Sequence, residues 1–442
     1  MLSAFGRAFR TPDLRKKLLF TLAILALFRW GSTLPAPGVD YSNVHECLDL
    51  QKNSSVLQLI NLFSGGALLQ LTVFALGIMP YITSSIILQL LVVVIPRLER
   101  LKDQGQSGQA KITQYTRYLT VALAILQSTG IVALARSGRL LQCTDSAGQQ
   151  IPLLHSESVF SIITLVVTMT AGTAVIMWFG ELITDRGIGN GMSLLIFTSI
   201  AARFPSQGSA ILQEKGTTTF IIVLLIGVLI IVGIVFMEQG QRRIPVQYAK
   251  RMIGRRMYGG TSTYIPLKVN QAGVIPVIFS SSLLYLPQLL GQVWSSNTTF
   301  NQFVSTHFNP NNPNWVYVGS YALLTIFFTY FYVAITFNPV EVSDNMRKYG
   351  GFIPGIRPGR PTAEYLEYVL SRITLPGSLY LTAIAVLPIL ALHYLPGGGA
   401  GGSDQAFPFG GTSILILVGV GLDTSKQIES QLMLRNYEGF LR

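Results

Sequence analysis

The chain has 442 residues, of which 50% are hydrophobic and only 12% are charged, and its formal net charge is +12. A soluble domain usually carries about 25% charged residues, so this composition, with a mean hydropathy of +0.47, excludes a soluble globular protein. Runs such as FIIVLLIGVLIIVGIVF at 220–236 can cross a hydrocarbon core, which takes about 20 apolar residues. The sequence therefore predicts an all-α, multi-spanning membrane protein.

The chain begins with a basic segment, residues 1–17, that precedes the first apolar stretch. No small-residue cleavage site follows that stretch, which argues against a removed signal peptide. Thr11 and Pro12 are typical of a helix cap and of a first helical position. We expect residues 1–17 to form an amphipathic helix on the cytoplasmic surface.

Ten apolar segments follow, and each predicts a transmembrane helix. They lie near 18–35, 73–95, 118–135, 158–180, 191–204, 217–237, 270–290, 315–337, 370–392 and 411–428. An eleventh segment, 56–72, is apolar but too short to span, and Gly65-Gly66 interrupts it. Non-helical backbone at membrane depth is tolerated only inside protein or beside water, so this segment predicts a re-entrant half-helix.

The loops between these segments differ in their content of Lys and Arg, which sets the orientation. Loops 96–117, 238–268 and 338–372 are basic, whereas loops 291–314 and 393–410 contain no Lys or Arg. We therefore expect the basic loops and both termini to be cytoplasmic. Two cysteines fall in predicted outer loops, where they could pair or remain separate, because no spacing rule decides between these states. They are Cys47 and Cys143.

One phrase occurs twice in the sequence, as GIMPYITSSII at 77–87 and as GVIPVIFSSSL at 273–283. The first copy lies in a span predicted to run inward and the second in a span predicted to run outward. That reversal favours an inverted repeat of five plus five spans, although Gly/Pro-rich helix packing could produce the same match by coincidence. We expect Pro80 and Pro276 to bend or loosen their helices, because each lacks a backbone donor.

The predicted organisation has four parts. They are the surface helix 1–17, the N-terminal half 18–215 with a re-entrant plug at 57–71, the C-terminal half 216–430 with basic loops 238–268 and 338–369, and the cytoplasmic tail 431–442.

Ionisable residues are nearly missing from the predicted spans, although such residues usually mark function in a membrane. Arg29 lies near the outer end of the first span, where it is expected to reach the interface, and Asp423 lies near the inner end of the tenth. No acid pair, Ser/His pair or Cys/His cluster is found at membrane depth. The sequence thus predicts no catalytic residues, no metal and no cofactor.

Two further features each have a structural and a functional interpretation. Ile82, Ile86 and Ile278 could be ordinary packing residues, or they could form an apolar constriction that blocks ions. Loops 239–268 and 347–361 could reflect topology alone, or they could form a basic platform for RNA phosphates or for an acidic protein surface.

Several longer motifs resemble the SecY family, the pore subunits of protein-conducting channels, in its bacterial form. They include INLFSGGAL, GIMPYITSSIILQLL, GELITDRGIGNGMSLLIF, PLKVNQAGVIPVIF and GGFIPGIRPG, and the similarity runs from about residue 7 to 440. The resemblance implies two inverted five-helix halves around a central hourglass pore. It also implies a channel that translocates unfolded secretory polypeptides and releases transmembrane segments sideways into lipid. The alternative is an inverted-repeat secondary transporter of a small solute.

The resemblance implies roles for particular residues. The implied pore ring consists of Ile82, Ile86, Met192, Ile196, Ile278 and Ile416. The implied plug contains Leu57, Ile60, Asn61, Leu62, Phe63, Ser64, Gly65, Gly66 and Leu71. The implied lateral gate contains Thr83, Gln127, Ser281 and Ser282, and the implied docking residues for the ribosome and for the motor ATPase SecA are Arg255, Arg256 and Arg357.

The partners that the resemblance implies are SecE-like and SecG-like small membrane subunits, SecA, the ribosome through its RNA, anionic lipids, and the secretory and membrane polypeptides themselves. The implied location is the bacterial cell membrane.

Overall fold

The structure is a computed structural model. It describes residues 9, 11–50, 64–136, 151–155, 158–248, 251–253, 256–258, 262–293, 298–308, 314–394 and 411–438. The helices before the first strand are α1 Pro12–Gly31, α2 Tyr41–Leu50, α3 Met79–Val94, α4 Pro96–Asp103, α5 Gln106–Arg136, α6 Val159–Arg186, α7 Gly191–Ala201 and α8 Phe204–Gln239. The strands are β1 Gln241–Tyr248, β2 Arg251–Ile253, β3 Arg256–Tyr258, β4 Ser262–Lys268 and β5 Gly351–Phe352. The remaining helices are α9 Ile275–Val293, α10 Thr298–His307, α11 Trp315–Thr336, α12 Pro339–Lys348, α13 Arg360–Tyr394 and α14 Gly411–Glu438.

The described residues are mostly helical, as the sequence predicts, and each of the ten predicted spans overlaps a helix. Among the described residues, five helices are long and apolar enough to cross a membrane by themselves. A sixth candidate is α3 together with α4, which are bent by 104° relative to each other. Ile95 between them is extended, with φ −102° and ψ 110°, because the residue before a proline is disfavoured in a helix. The chain is therefore a multi-pass membrane protein, and the count of ten spans stays a prediction.

Contacts divide the chain into two compact units. The first unit contains the residues up to Phe220 and those from Val420 onward, together with 400–408. The second unit contains 221–399 and 409–419. The predicted division at 215/216 and the other predicted domain boundaries stay predictions.

Helix α5 of the first unit buries one narrow stripe, in which every fourth residue faces inward. The stripe consists of Gly108, Ile112, Thr116, Thr120, Ala124, Ser128 and Val132. Most of these side chains are small, which lets neighbouring helices approach closely where lipid supplies no hydrophobic drive. Helix α5 packs against α3 on one side and α6 on the other.

Backbone contacts in the first unit join α2 and the residues before it to the segment 151–155. Val39 and Leu154 form an isolated β-bridge, and the Asp40 backbone N–H donates to the Leu153 carbonyl over 3.0 Å. Buried Cys47 of α2 packs in the same hydrophobic cluster as Leu68 and Leu71 of the predicted plug. Cys47 is disulfide-bonded, and the only other cysteine of the sequence, Cys143, lies outside the described residues.

Strands interrupt the expected loops of the second unit. Strand β1 pairs antiparallel with β4 along its length, from Gln241 opposite Lys268 to Gln247 opposite Ser262. Strand β5 pairs with the other edge of β1, which gives the order β4-β1-β5. Ile244 and Leu267 of this sheet pack with Leu366 of α13, so the sheet is fixed to the helical part of its own unit.

Candidate functional site

The two copies of the repeated phrase have the same backbone geometry. Gly77 has φ +57° and Gly273 has φ +61°, a left-handed conformation that glycine adopts without a steric penalty. A helix begins two residues later in each copy, at Met79 and at Ile275. The phrase is therefore a helix-start motif, and the structure repeats it in the two units.

The two prolines of the phrase lie in the first turn of their helices rather than in the interior. Pro80 is the second residue of α3 and Pro276 is the second residue of α9. A proline there costs no intrahelical hydrogen bond, because the first N–H groups of a helix have no partner in any case. The expected bending of these helices by proline is therefore wrong. The predicted start of the second span at residue 73 is also too early, because 64–78 forms turns.

The six candidate ring residues divide between the two units. In the first unit, Ile82 and Ile86 lie on α3, while Met192 and Ile196 lie on α7. Ile86 and Ile196 are buried, and Ile82 and Met192 are half-buried. In the second unit, the candidates are buried Ile278 on α9 and buried Ile416 on α14. Ile82 and Ile278 hold the same place in the phrase, five residues after its glycine.

Met192 packs against a glycine of the neighbouring helix α6. A Cβ atom placed on Gly180 of α6 would lie 2.3 Å from the Met192 sulfur. The thioether therefore occupies the notch that this glycine leaves. Gly191 also needs to be a glycine, because its Cβ would lie 1.9 Å from the Gly180 carbonyl oxygen.

Part of the candidate plug lies outside the described residues, namely Leu57, Ile60, Asn61, Leu62 and Phe63. The described part, which we call the re-entrant segment, is 64–78. It consists of consecutive turns, with buried Ser64 and Leu71 and with left-handed Gly65 and Gly66. Leu71 also has a positive φ of 48°, which is uncommon for a branched residue. Its carbonyl accepts from the Ala36 N–H over 3.1 Å.

Two of the candidate gate residues, Thr83 and Ser281, bond within their own helices. The Thr83 hydroxyl donates to the Met79 carbonyl over 2.9 Å. The Ser281 hydroxyl donates to the Ile278 carbonyl over the same distance. Gln127 is half-buried on α5, and Ser282 follows on α9. Hydroxyls bonded this way cost little to bury in lipid, and they remain available to accept a second bond.

Buried hydroxyls on α3, α5 and α6 form connections that the sequence analysis missed. The Ser84 hydroxyl donates to the Thr116 carbonyl over 2.7 Å, which joins α3 to α5. Ser128 lies 3.4 Å from the hydroxyl of Thr170, which joins α5 to α6. The four-residue spacing of small residues on α5 was the signal that could have found them. These contacts hold the helix that carries Ile82 and Ile86 within its unit.

The two basic loops of the second unit meet in the sheet β4-β1-β5, while β2 and β3 pair with each other as a separate two-stranded sheet. Loop 239–268 forms β1 to β4, and loop 347–361 contributes β5, which pairs Gln247 with Phe352 and Tyr248 with Gly351. Arg243 on β1 is exposed, and its guanidinium lies 4.8 Å from the ring centre of Tyr264. The structure thus brings together two loops that the sequence predicted as one basic platform.

Two of the three candidate docking residues lie in described parts of these loops. Arg357 is exposed in the turn between β5 and α13. Two hydrogen bonds from neighbouring helices hold this turn. The Thr362 hydroxyl of α13 donates to the Arg357 carbonyl, and the buried Ser343 hydroxyl of α12 donates to the Gly359 carbonyl. Arg256 begins strand β3, and Arg255 lies outside the described residues.

Asn270 ties the base of the platform to the start of α9. Its side-chain amide donates to the Glu238 carboxylate over 2.5 Å and to the Gly273 carbonyl over 3.2 Å. The Val269 N–H also donates to the Gly240 carbonyl over 3.0 Å. Asn270 is 3% exposed, so these are buried, charge-assisted contacts of the stronger kind.

Known proteins match this chain along its whole length. A model of the SecY family matches residues 72–425. Protein translocase subunit SecY of Mycobacterium tuberculosis H37Rv is 62% identical over 451 residues, with 100% of both chains covered. Protein translocase subunit SecY of Streptomyces galbus is 64% identical over 448 residues, again with 100% of both chains covered.

Solved structures share the fold at low sequence identity. A structure described as a protein conducting channel matches with a TM-score of 0.61 and 15% identity, covering 94% of this chain and 91% of the other. Sec61 in a canine ribosome–channel complex from the endoplasmic reticulum matches with a TM-score of 0.59 and 15% identity, at the same coverage.

These observations first define a class, a multi-pass helical membrane protein with the channel fold of those structures. The family follows from the full-length identity: the chain belongs to the SecY family.

Proposed function

We propose that this chain is the pore subunit of a protein-conducting channel. The channel carries unfolded secretory polypeptides across the membrane and releases transmembrane segments into lipid. The observation that carries the proposal is the identity of 62–64% with protein translocase subunits, over the full length of both chains. The repeated helix start supports it, because it presents an isoleucine at the same place in each unit.

The ring that we propose is made of branched and thioether side chains. Its members are Ile82, Ile86, Met192, Ile196, Ile278 and Ile416. An apolar constriction of this kind excludes water and blocks ions. It also offers an extended peptide no fixed hydrogen-bonding partner, so it yields around a chain of any sequence. In this proposal the segment 57–71 closes the outer side of the ring as a plug.

Lateral release needs only exposure of the passing segment to lipid. A Leu or Ile at the centre of a membrane helix gains roughly 0.3–0.6 kcal/mol, and a charged residue costs about 2.5–3.5 kcal/mol. A dozen apolar residues therefore outweigh one charge. The hydroxyl and amide groups of Thr83, Gln127, Ser281 and Ser282 would provide a polar seam that opens to lipid.

The proposed partners follow from the family and from the basic platform. The platform and Arg255, Arg256 and Arg357 would dock the ribosome or the SecA motor, because basic side chains suit RNA phosphates and acidic protein surfaces. SecE-like and SecG-like subunits would complete the channel, and anionic lipids would surround it. The location is the bacterial cell membrane, with both termini cytoplasmic. The chain itself performs no catalysis, and the driving force comes from its partners.

Reconstitution tests the proposal directly. Proteoliposomes that contain the chain with its small subunits are given a secretory precursor, SecA and ATP. Protease protection of the precursor, dependent on ATP, is the expected result. Ion-coupled uptake of a small solute by the chain alone, with no protected precursor, would instead establish the secondary transporter. Proteoliposomes without the chain provide the control.

A further inference from the structure

Arg29, which the sequence predicts to reach the outer interface, contacts the re-entrant segment. This residue of the last turn of α1 is half-buried, and its Nη1 atom donates to the Gly65 carbonyl over 2.9 Å. The same nitrogen lies 3.4 Å from the Ser32 hydroxyl, which in turn donates to the Arg29 carbonyl over 2.7 Å. The guanidinium is therefore held against the re-entrant segment.

A second arginine lies against the next residue of that segment. Arg203 follows the end of α7, and a Cβ atom on Gly66 would lie 3.5 Å from its Nη2 and 3.6 Å from its Nε. On the neighbouring glycine, a Cβ atom would lie 3.3 Å from Arg29 Nη1 and 3.2 Å from the Ser199 backbone. Each glycine of the bend thus lies beside a guanidinium group, Gly65 beside Arg29 and Gly66 beside Arg203.

The bend favours glycine at both positions, and the Gly65 carbonyl oxygen accepts from Arg29. Gly65 and Gly66 have φ +68° and +100°, values that a side chain strongly disfavours. Hydrogen bonds from a charged guanidinium are roughly twice as strong as neutral ones. The hydrogen bond from Arg29 to the Gly65 carbonyl is therefore stronger than a neutral one. Because it is one bond, the loss of that bond alone would release the bend from Arg29.

The other end of the re-entrant segment is held differently. Pro35 and Thr72 form a β-bridge, and the Val73 N–H donates to the Leu34 carbonyl over 3.0 Å. A Cβ atom on Gly172 of α6 would lie 2.0 Å from the Val73 carbonyl oxygen, so α6 packs directly on this backbone. Neutral backbone contacts and tight packing hold this end, whereas cations hold the bend.

We propose that Arg29 and Arg203 form a cationic latch that holds the re-entrant segment closed at Gly65-Gly66. Opening the latch frees the bend, while the end at Thr72 and Val73 stays attached to the unit. The inference deepens the proposed function, because it rests on that segment acting as the plug. Arg29 and Arg203 are positioning residues here, since they act on the plug rather than on the translocated chain.

Cysteine labelling tests the latch in the full chain with its small subunits. Ser64 is 1% exposed and Thr72 is 0% exposed, so Ser64→Cys and Thr72→Cys are matched reporters at the two ends. A membrane-impermeant maleimide is added from the outer face, and the protein without a reporter gives the background. Arg29→Gln is expected to raise the labelling rate at the Ser64→Cys reporter by roughly tenfold, which is the size of one hydrogen bond to a charged group.

The remaining variants separate the latch from a general loss of structure. Arg203→Gln should raise labelling less, because it also removes the charge that repels Arg29. Arg29→Lys should give an intermediate rate, because lysine keeps the positive charge but lacks the planar guanidinium group and its several N–H donors. The exposed outer Arg136→Gln should leave both reporters unchanged. An unchanged rate at Ser64→Cys in Arg29→Gln would overturn the latch, and so would an equal rise at both reporters.

Labelling needs no translocation, so the two proposals fail separately. If the parental chain moves no precursor but Arg29→Gln exposes the Ser64→Cys reporter, the latch is supported and the channel is refuted. Normal translocation with unchanged labelling would keep the channel and refute the latch.

Discussion

The two copies of the repeated phrase start their helices alike but follow different segments of chain. In the first unit, α3 follows the re-entrant segment, which packs against α1, α6 and α7 of its own unit. In the second unit, α9 follows the basic sheet, to which Asn270 ties it. The comparison teaches that the repeat specifies a helix start and an isoleucine. In the function that we propose, the segment before the first copy closes the channel and the sheet before the second copy docks partners.

The largest expected effect comes from removing the feature that the copies share. Ile82 and Ile278 hold the same place in the phrase. The double variant Ile82→Gly with Ile278→Gly should raise the resting ion conductance of reconstituted channels by roughly tenfold or more, because a dewetted apolar constriction is what blocks ions. Planar-bilayer recording measures it, and Ile87→Gly, next to the ring on α3, serves as the control. Conductance at the parental level would refute the assigned constriction.

A second prediction concerns the platform that precedes only the second copy. Arg357→Glu should reduce SecA-dependent translocation about tenfold or more, because truncating or reversing an exposed docking charge weakens association. Membrane insertion of the chain itself should not change. Arg136→Glu makes the same charge change on the predicted outer face and should retain activity. Full translocation by Arg357→Glu would remove this residue from the docking surface.

A third prediction uses the serines that align between the copies. Ser84 and Ser280 are both fully buried, but Ser84 donates to Thr116 on α5, whereas Ser280 donates to Pro276 of its own helix. Ser84→Ala should therefore lower the free energy of unfolding by about 1 kcal/mol, since it leaves a carbonyl of another helix with one partner fewer. Ser280→Ala should cost about half of that or less.

Thermal unfolding in detergent, followed by circular dichroism, measures both serine variants. An equal decrease in the free energy of unfolding for both variants would contradict the structure, because only Ser84 bonds to another helix.

A further prediction concerns Gly273, the left-handed glycine of the second copy. A Cβ atom on Gly273 would meet nothing within 4 Å, so Gly273→Ala costs only backbone strain, about 1–2 kcal/mol. Gly130 in α5 also has open space but no positive φ, so Gly130→Ala should be neutral or stabilising by up to about 1 kcal/mol. The same unfolding measurement compares them, and a neutral Gly273→Ala would contradict the helix-start geometry.

The sequence predicted the helical membrane class and a helix at each of the ten predicted spans, but the half-helix predicted at 56–72 is wrong in its described part, which forms turns. Apolar length and charge bias are local properties, so they can be read without tertiary structure. The role of Pro80 was misjudged because a proline at a helix start and one inside a helix look alike until the helix boundary is known.

Contacts between distant segments could not be predicted from one sequence. Nothing local in Arg29 indicates that it turns to Gly65 rather than to the interface, because both directions suit an arginine at a helix end. Loop 239–268 likewise reads as a loop, although it forms a sheet, because its strands are short and polar and pair partly with a strand about 100 residues later.

The central claim is that the isoleucines seal an aqueous path between the two faces of the membrane. Single cysteines introduced along α3 and α9 are reacted with a hydrophilic maleimide from each side in turn. The account predicts reactive positions that converge from both faces on Ile82 and Ile278, with a protected zone at those side chains. An unreactive stretch that extends through the whole of either helix would contradict it.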